Sequence, residues 1–384
     1  MGDKQAIYAK EKQVIDKKSY LPYDLIIHEI FMRLPVKSIL RFKSVSKQWY
    51  STLSSSKFAT FHLMKSPFSH PSAPVNTLFI ENWKKFYLFS YDNDQNPCNL
   101  EDNLVKLDVD FGVNDYLKLT GCCNGLVCLS KPFSEYFVLW NPATRKLHKY
   151  PSDGYLKGIH DNVDRPFVAS GFGYASSDDD YKYVRILGWG RKKLSNIAHI
   201  FSLRESKWRK IEFEHHAVFP YGKSVLLDEN LYWVSYSKLG SVIVCFDLGL
   251  EKFDIIKLNS AAFSYLGVMG ACLIESKYDG TDGGEKLKKI QMLGSTTTIE
   301  KSIDLPKGII LDIESQMIGY TRTGSFFMTG TSNDQLGNIM LLLVDSSMKP
   351  MQCATLLNVH EPINIARYVP SLVSPFPIEE VSES

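Results

Sequence analysis

Three groups of side chains in this 384-residue chain are of types that can do chemistry. Cys122, Cys123 and Cys128 crowd together and, as thiolates, could hold a soft metal. Asp178, Asp179 and Asp180 offer consecutive carboxylates to a hard cation. His215 and His216 lie beside Glu212 and Glu214. Each group fails on spacing. The seven cysteines are odd in number, contain no C-x-x-C pair and have no histidine at finger-like distance. They read as buried thiols of a reducing compartment. The acidic run lacks the glycine and distal glutamate of an EF-hand loop and reads as the turn before the strand YKYVRIL. Adjacent histidines on a strand point to opposite faces, so they cannot share a metal. No G-x-S-x-G elbow, P-loop or H-E-x-x-H string occurs. The expectation is a non-catalytic protein with no metal, no cofactor and no catalytic residue. The string Gly188-Trp189-Gly190 followed by Arg191-Lys192-Lys193 reads as a basic loop able to touch phosphate or an acidic peptide.

With no reaction centre in view, interaction surfaces become the question, and the elements that carry them differ along the chain. Hydrophobic residues make up 44%, enough for a packed core. The N-terminus has no apolar signal-like run, and Ile339–Val344 is too short to span a bilayer. The expected location is cytoplasmic, nuclear or both. The net charge of +2 is uneven, because residues 19–66 hold seven basic side chains against Asp24 and Glu29. Such a basic module suits nucleic acid or an acidic protein partner.

Residues 1–18 read as a flexible charged tail, and residues 19–66 as a helical module. Pro22 opens the first helix, Asp24 lies in its first turn, and Pro35 stops it. Ile27, Ile30, Phe31 and Leu34 fall at three- and four-residue spacing, which predicts one shared face. A second helix carries Val36, Ile39, Leu40 and Phe42. A third, capped by Ser44 or Ser46, presents Val45, Trp49 and Leu53. A fourth after Ser56 carries Phe58, Phe61, Leu63 and Met64. A unit of about 45 residues cannot bury this much apolar surface within itself. The excess is expected to face another protein or the rest of the chain.

The string running from Leu21-Pro22 through Asp24-Leu25, Glu29-Ile30 and Arg33-Leu34-Pro35-Val36-Lys37-Ser38-Ile39-Leu40-Arg41-Phe42-Lys43 to Val45-Ser46-Lys47 and Trp49 resembles an F-box. It is most similar to the version in plant F-box proteins that carry an F-box-associated domain. The resemblance implies docking on the acidic Skp-type adaptor of an SCF ubiquitin ligase, and through it on cullin and RING subunits. The implied adaptor-binding residues are Leu21, Pro22, Ile30, Leu34, Pro35, Val36, Leu40, Val45 and Trp49, some as contacts and some as support. Phe31 stands where the family usually has Leu.

FSHPSAP in residues 67–74 reads as a linker. From about residue 75 to 376, short aromatic and β-branched runs alternate with Gly, Pro, Asn, Asp and Ser clusters, the pattern of an all-β domain. An acidic tail, residues 377–384, follows. A quasi-repeat recurs in which a strand enters a polar turn, then a basic residue, then another strand. Its copies are LWNPATRKL, IFSLRESKW, CFDLGLEKF and LVDSSMKPM, anchored at Trp140, Phe201, Phe246 and Val344, with a degenerate copy at MLGSTTTIEKS. The mean spacing, near 51 residues, is that of a kelch-type propeller. The fold class expected is therefore α+β multidomain: a helical module, then a kelch-like β-propeller of about six blades, with a two-sheet sandwich as the rival. IARYVPSLV would close the ring beside an N-terminal strand. Trp140, Trp208 and Trp233 are expected in the core between blades.

The β region extends the resemblance through Gly121-Cys122-Cys123-Asn124-Gly125-Leu126, Leu139-Trp140-Asn141-Pro142-Ala143-Thr144-Arg145, Gly171-Phe172-Gly173-Tyr174 and Asp180-Tyr181-Lys182-Tyr183-Val184. It departs where the family has a W-x-M strand and this chain has KKIQMLG. The function implied is a substrate receptor that presents a protein target for ubiquitination and degradation. A non-degradative adaptor-binding protein and a glycan-binding propeller, the latter with Tyr155 or Tyr221 at its loop tips, are the alternatives. No nucleic-acid or membrane partner is expected. Loops 153–166, 188–196 and 276–287 are the candidate target contacts.

Overall fold

The computed structural model describes residues 21–66, 77–82, 84–91, 104–111, 116–155, 166–188, 196–213, 219–220, 222–237, 240–257, 264–269, 272–278, 286–293, 303–304, 309–310, 317–321, 324–332, 339–345, 350–357 and 363–376. The N-terminal tail, the 67–74 linker, His215-His216, the Arg191-Lys192-Lys193 loop, Tyr221, the end of the degenerate repeat copy and the acidic tail lie outside the described residues. The chain divides into two compact units, Met1–Ser66 and Pro67–Ser384.

The first unit is helical. Helix α1 begins at Tyr23–Leu25, continues as a π turn at Ile26–Ile30 and ends as a 3-10 turn at Phe31–Arg33. Pro22 precedes it with extended ψ, and Pro35 likewise precedes α2, Val36–Phe42. Ser46 caps α3, Lys47–Ser54, by accepting from the Trp49 amide at 3.1 Å. Ser55 caps α4, Ser56–Lys65, through the Phe58 amide at 3.2 Å. The core holds Ile27, Phe31, Met32, Val36, Ile39, Leu53 and Phe58. Phe31, the departure from the family's Leu, is its hub. Its ring stacks on Phe42 at 5.0 Å and meets the Trp49 ring edge-on at 4.9 Å. Buried His62 reaches across to the Leu34 carbonyl at 2.8 Å.

The second unit is arranged as a β-propeller. Among the described residues its strands form six sheets. The first joins Ile363–Arg367, Thr77–Asn82, Lys85–Ser90 and Leu104–Leu107, and the second Lys118–Cys123, Leu126–Ser130, Tyr136–Asn141 and Lys146–Pro151. The third runs through Phe167–Ala175, Asp180–Gly188, Asn196–Ser202 and Lys207–Phe213. The fourth is built on Asn230–Ser237, Gly240–Asp247 and Lys252–Lys257, the fifth on Ser264–Met269, Cys272–Tyr278 and Lys286–Leu293, and the sixth on Phe326–Ser332, Ile339–Val344 and Pro350–Leu357. Ile363–Arg367, Lys118–Cys123, Phe167–Ala175, Asn230–Ser237, Ser264–Met269 and Met317–Tyr320, the last paired with Phe326–Ser332, neighbour one another in turn around a closed ring, which excludes the sandwich. Ile363–Arg367 pairs antiparallel with Thr77–Asn82, so the late string does close the ring.

The quasi-repeat marks the outer hairpin of a sheet, and in the three copies whose turns are described the turn has one design. Asn141 Oδ1 accepts from the Thr144 amide at 3.2 Å, Ser202 Oγ from Glu205 at 3.0 Å, and Asp247 Oδ1 from Leu250 at 2.7 Å. The next residue in each turn, Arg145, Ser206 or Glu251, takes a positive φ of 58°, 52° or 53°. A side-chain acceptor thus replaces a backbone one at the first corner, and a left-handed residue re-aims the chain into the outer strand. The anchors Trp140, Phe201, Phe246 and Val344 are all buried.

Close approach also explains Gly171. A Cβ there would lie 2.5 Å from Ser224 Oγ and 2.9 Å from Trp233 Cζ2. Trp233 is fully buried and donates to the Ser170 carbonyl at 3.1 Å, and Trp140 is buried as expected. Trp208 departs from expectation. It is only half-buried, because its strand is the outermost of the third sheet.

The acidic run is structural. Lys182, fully buried, donates to Asp178 at 2.6 Å and to the Leu248 carbonyl at 2.6 Å, and pairs with Glu251 at 2.9 Å. Asp180 accepts from Ser202 Oγ at 2.6 Å and from the Arg204 amide at 2.8 Å. No helix among the described residues is long and apolar enough to cross a membrane.

Candidate functional site

The helical unit buries one set of its apolar residues and leaves another open. Leu21, Leu25, Ile30 and Val45 are 50%, 47%, 42% and 63% exposed. Tyr50, Phe61 and Met64 are exposed as well. The π turn explains much of this division. The Phe31 amide bonds both the Ile26 and the Ile27 carbonyl, so one extra residue is wound into the turn. A π turn brings residues five apart into line, as an α turn does for residues four apart. Leu25 and Ile30, five apart, are both exposed, while Ile27 and Phe31 are buried. Ile30 thus leaves the face on which its spacing had placed it with Ile27 and Phe31.

The nine residues implied as adaptor-binding separate by burial. Val36 is core. Trp49, half-buried, packs against Phe31 and against Phe42 at 5.6 Å, so it supports the fold and keeps one edge outward. Leu34 and Leu40 are also half-buried. Leu21, Pro22, Ile30, Pro35 and Val45 are exposed. Leu25 was not among the nine, although its four-residue spacing from Leu21 signalled it. The cap of α3 and the Tyr23 hydroxyl, 2.6 Å from Thr52 Oγ1, fix the helices around this surface. An open apolar surface over a sealed core is an arrangement for binding another protein.

The β unit offers a different kind of site, at the outer end of the third sheet. Arg185, His199 and Lys210 lie directly opposite one another on three adjacent strands. Beside them on the same face stand Tyr183, Phe201 and Trp208. Asp153, from the segment after the second sheet's last strand, places its carboxylate against Arg185 and His199 Nδ1. Burial alone would raise its carboxyl pKa. The hydrogen bonds from His199 and Arg185 outweigh that and hold it well below the usual carboxylate range. Asp153 also accepts from the Tyr155 amide at 3.1 Å, and the Tyr155 ring lies 4.6 Å from that of His199. Trp208 donates to the Pro151 carbonyl at 2.9 Å, with the Arg185 guanidinium 5.3 Å from its ring. A cavity of about 310 Å³ opens here.

The cysteine cluster offers thiols rather than thiolates. Burial pushes the Cys122 and Cys123 thiols up to about 12 and Cys128 well above its ordinary value, so none is a ready thiolate. Among the described residues no group of His, Cys, Asp and Glu is arranged to hold a metal.

The family described as F-box associated beta propeller domain matches residues 76–283, and the F-box domain matches residues 19–61. F-box protein CPR1 of Arabidopsis thaliana is 27% identical over 282 residues, covering 66% of this chain and 65% of that protein. An F-box/kelch-repeat protein of Arabidopsis thaliana is 30% identical over 255 residues, with 62% and 66% covered. A putative F-box protein of the same plant is 29% identical over 326 residues, with 80% and 79% covered. The chain thus spans slightly less than two thirds of the length of the first two.

Proposed function

Because this chain belongs to the family of F-box proteins whose F-box precedes an F-box associated beta propeller domain, we propose that it is the substrate-recognition subunit of an SCF-type ubiquitin ligase. The helical unit docks on a Skp-type adaptor and through it on cullin and RING subunits. The propeller binds a protein target and holds it for ubiquitination and degradation. The single observation that carries this reading is the exposure of Leu21, Leu25, Ile30 and Val45 outside a core in which the Phe31 ring stacks on Phe42 and meets Trp49 edge-on. Seven basic side chains in residues 19–66 complement an acidic adaptor. The protein supplies no reacting group. It raises the local concentration of target lysines near the charged conjugating enzyme. The place of action is the cytoplasm, the nucleus or both.

The test is co-expression of the full chain with a Skp-type adaptor. Wild type should co-purify, and Val45→Asp, a change at an exposed site, should not. Reconstitution with cullin and RING subunits should then give polyubiquitin chains on a captured target. A wild-type chain that fails to retain adaptor at micromolar concentration rejects the proposal. Retention without ubiquitin transfer favours a non-degradative adaptor-binding role.

A further inference from the structure

The bend between α1 and α2 is held by a hydrogen bond from the last helix of the same unit. Leu34 leaves α1 in extended conformation, with φ −80° and ψ 146°, after its amide has donated to the Phe31 carbonyl at 3.2 Å. Pro35 opens α2, its carbonyl accepting from the Ser38 and Ile39 amides at 2.9 and 3.2 Å. The peptide group joining Leu34 to Pro35 has no N–H, because its nitrogen is the proline's. Its one polar atom is the Leu34 carbonyl oxygen, and that oxygen lies 2.8 Å from His62 Nε2 of α4. A carbonyl only accepts, so Nε2 is the donor. His62 is 5% exposed, and its ring lies 5.8 Å from that of Phe58, a core residue. The imidazole is thus fixed on one side by packing and on the other by the carbonyl it holds. The bend carries exposed Pro35 and half-buried Leu34, one 3-10 turn after exposed Ile30.

We propose that His62 is a positioning residue for adaptor docking: buried behind the bend, it fixes through the Leu34 carbonyl the angle at which Leu34 and Pro35 meet the adaptor. This inference rests on the receptor reading above. The proline ring sets Pro35 φ, here −58°, so the freedom left in the bend is that of Leu34. The ψ of Leu34 decides where its carbonyl points, and holding the carbonyl holds that ψ. Without the bond, Leu34 is free to turn within the broad extended region that a residue before proline prefers. The bend must then be ordered at the moment of binding, which costs affinity. The fold itself does not depend on the bond, because Phe31, Ile39, Leu53 and Phe58 stay packed in the core. Packing supplies the unit's stability, and the His62 bond supplies the shape of its docking bend.

The test uses the full chain and a Skp-type adaptor, with the Kd measured by calorimetry well below each protein's unfolding midpoint. His62→Phe keeps a ring against Phe58 and removes the donor. It should show wild-type helix content by circular dichroism and bind adaptor about tenfold more weakly, as loss of one hydrogen bond predicts. His62→Gln restores an amide donor and should recover binding to within about threefold of wild type. Leu53→Val, a core change that leaves the bond in place, should lower the unfolding midpoint and leave the Kd unchanged. Should His62→Phe not fold, His62→Met takes its place, since methionine is flexible enough to refill the space without a donor. Wild-type affinity in the donor-free variant, equal weakening by His62→Phe and His62→Gln, or a loss in Leu53→Val as large as that in His62→Phe overturns the inference. In each of those outcomes the wild type still binds adaptor, so the receptor reading stands. Failure of the wild type to bind rejects both.

Discussion

Asn141 donates from Nδ2 to the carbonyls of Ser371 at 3.1 Å and Val373 at 2.7 Å, tying the second sheet to a segment 230 residues further along. The tie has company. Tyr150 donates to the Pro375 carbonyl at 2.8 Å, Ser371 Oγ to the Asn124 carbonyl at 2.6 Å, and the Ala143 amide to the Tyr368 hydroxyl at 3.3 Å. After closing the first sheet, the chain therefore runs on as a strap across the second. Gly125, at φ 78°, leaves the strap room, since a Cβ there would lie 2.3 Å from Ser371 Oγ.

Replacing Asn141 by Ala removes both strap bonds and the turn bond to Thr144. At about 1 kcal/mol for each hydrogen bond, the expected loss is about 3 kcal/mol. Urea unfolding of the β unit measures it, and adaptor retention should be unaffected.

Lys182→Met leaves Asp178 and Glu251 facing each other without their shared cation. Breaking a buried pair from one side costs about 3–5 kcal/mol, and the partial exposure of Asp178 places this variant at the low end. Arg209 still holds Glu251 through Nε at 2.9 Å. The double variant Lys182→Met with Glu251→Gln should recover part of the loss. Thermal unfolding midpoints of the three proteins decide it.

Asp153 gives a pH dependence whose sign is fixed. Its folded pKa is depressed below the ordinary 3.8, so its contribution to stability is complete above that value. The contribution is lost as pH falls from there toward the folded value. Wild type should weaken steeply below about pH 4, and Asp153→Asn should be weaker at neutral pH and show a shallower acid slope. Parallel acid unfolding curves for the two proteins would refute this.

In the helical unit, Trp49→Ala and Val45→Asp should part company. Removing the indole from Phe31 and Phe42 opens a gap worth about 3 kcal/mol, so both stability and adaptor retention should fall. Val45→Asp should leave helix content unchanged and abolish retention alone. Circular dichroism beside a pull-down distinguishes the two.

Much of this was legible in the residues because the signals are local. Ser46 as a cap, Pro35 as a helix boundary and the Asn141, Ser202 and Asp247 turns each act within five residues. What was not legible depends on winding or on distant partners. The π turn moves Ile30 out of the face its α spacing assigns, and no side chain announces that extra residue. Trp208 looked like Trp140 in sequence, but it sits on an outermost strand, and only sheet order reveals that. Asp153 meets His199 and Arg185 from the neighbouring sheet, a pairing that no spacing encodes. The strap bonds join residues more than two hundred positions apart.

The strand that closes the ring, Ile363–Arg367, follows every other described strand in the chain and is made after them, whereas the helical unit with its own core precedes them all. A chain interrupted between Ser66 and Ile363 would keep the whole helical unit and leave the ring open. On the receptor reading proposed above, such a product would occupy adaptor and deliver nothing to it. Late nonsense mutations in this gene should accordingly act as competitors of the full-length protein, with effects exceeding those of a simple null.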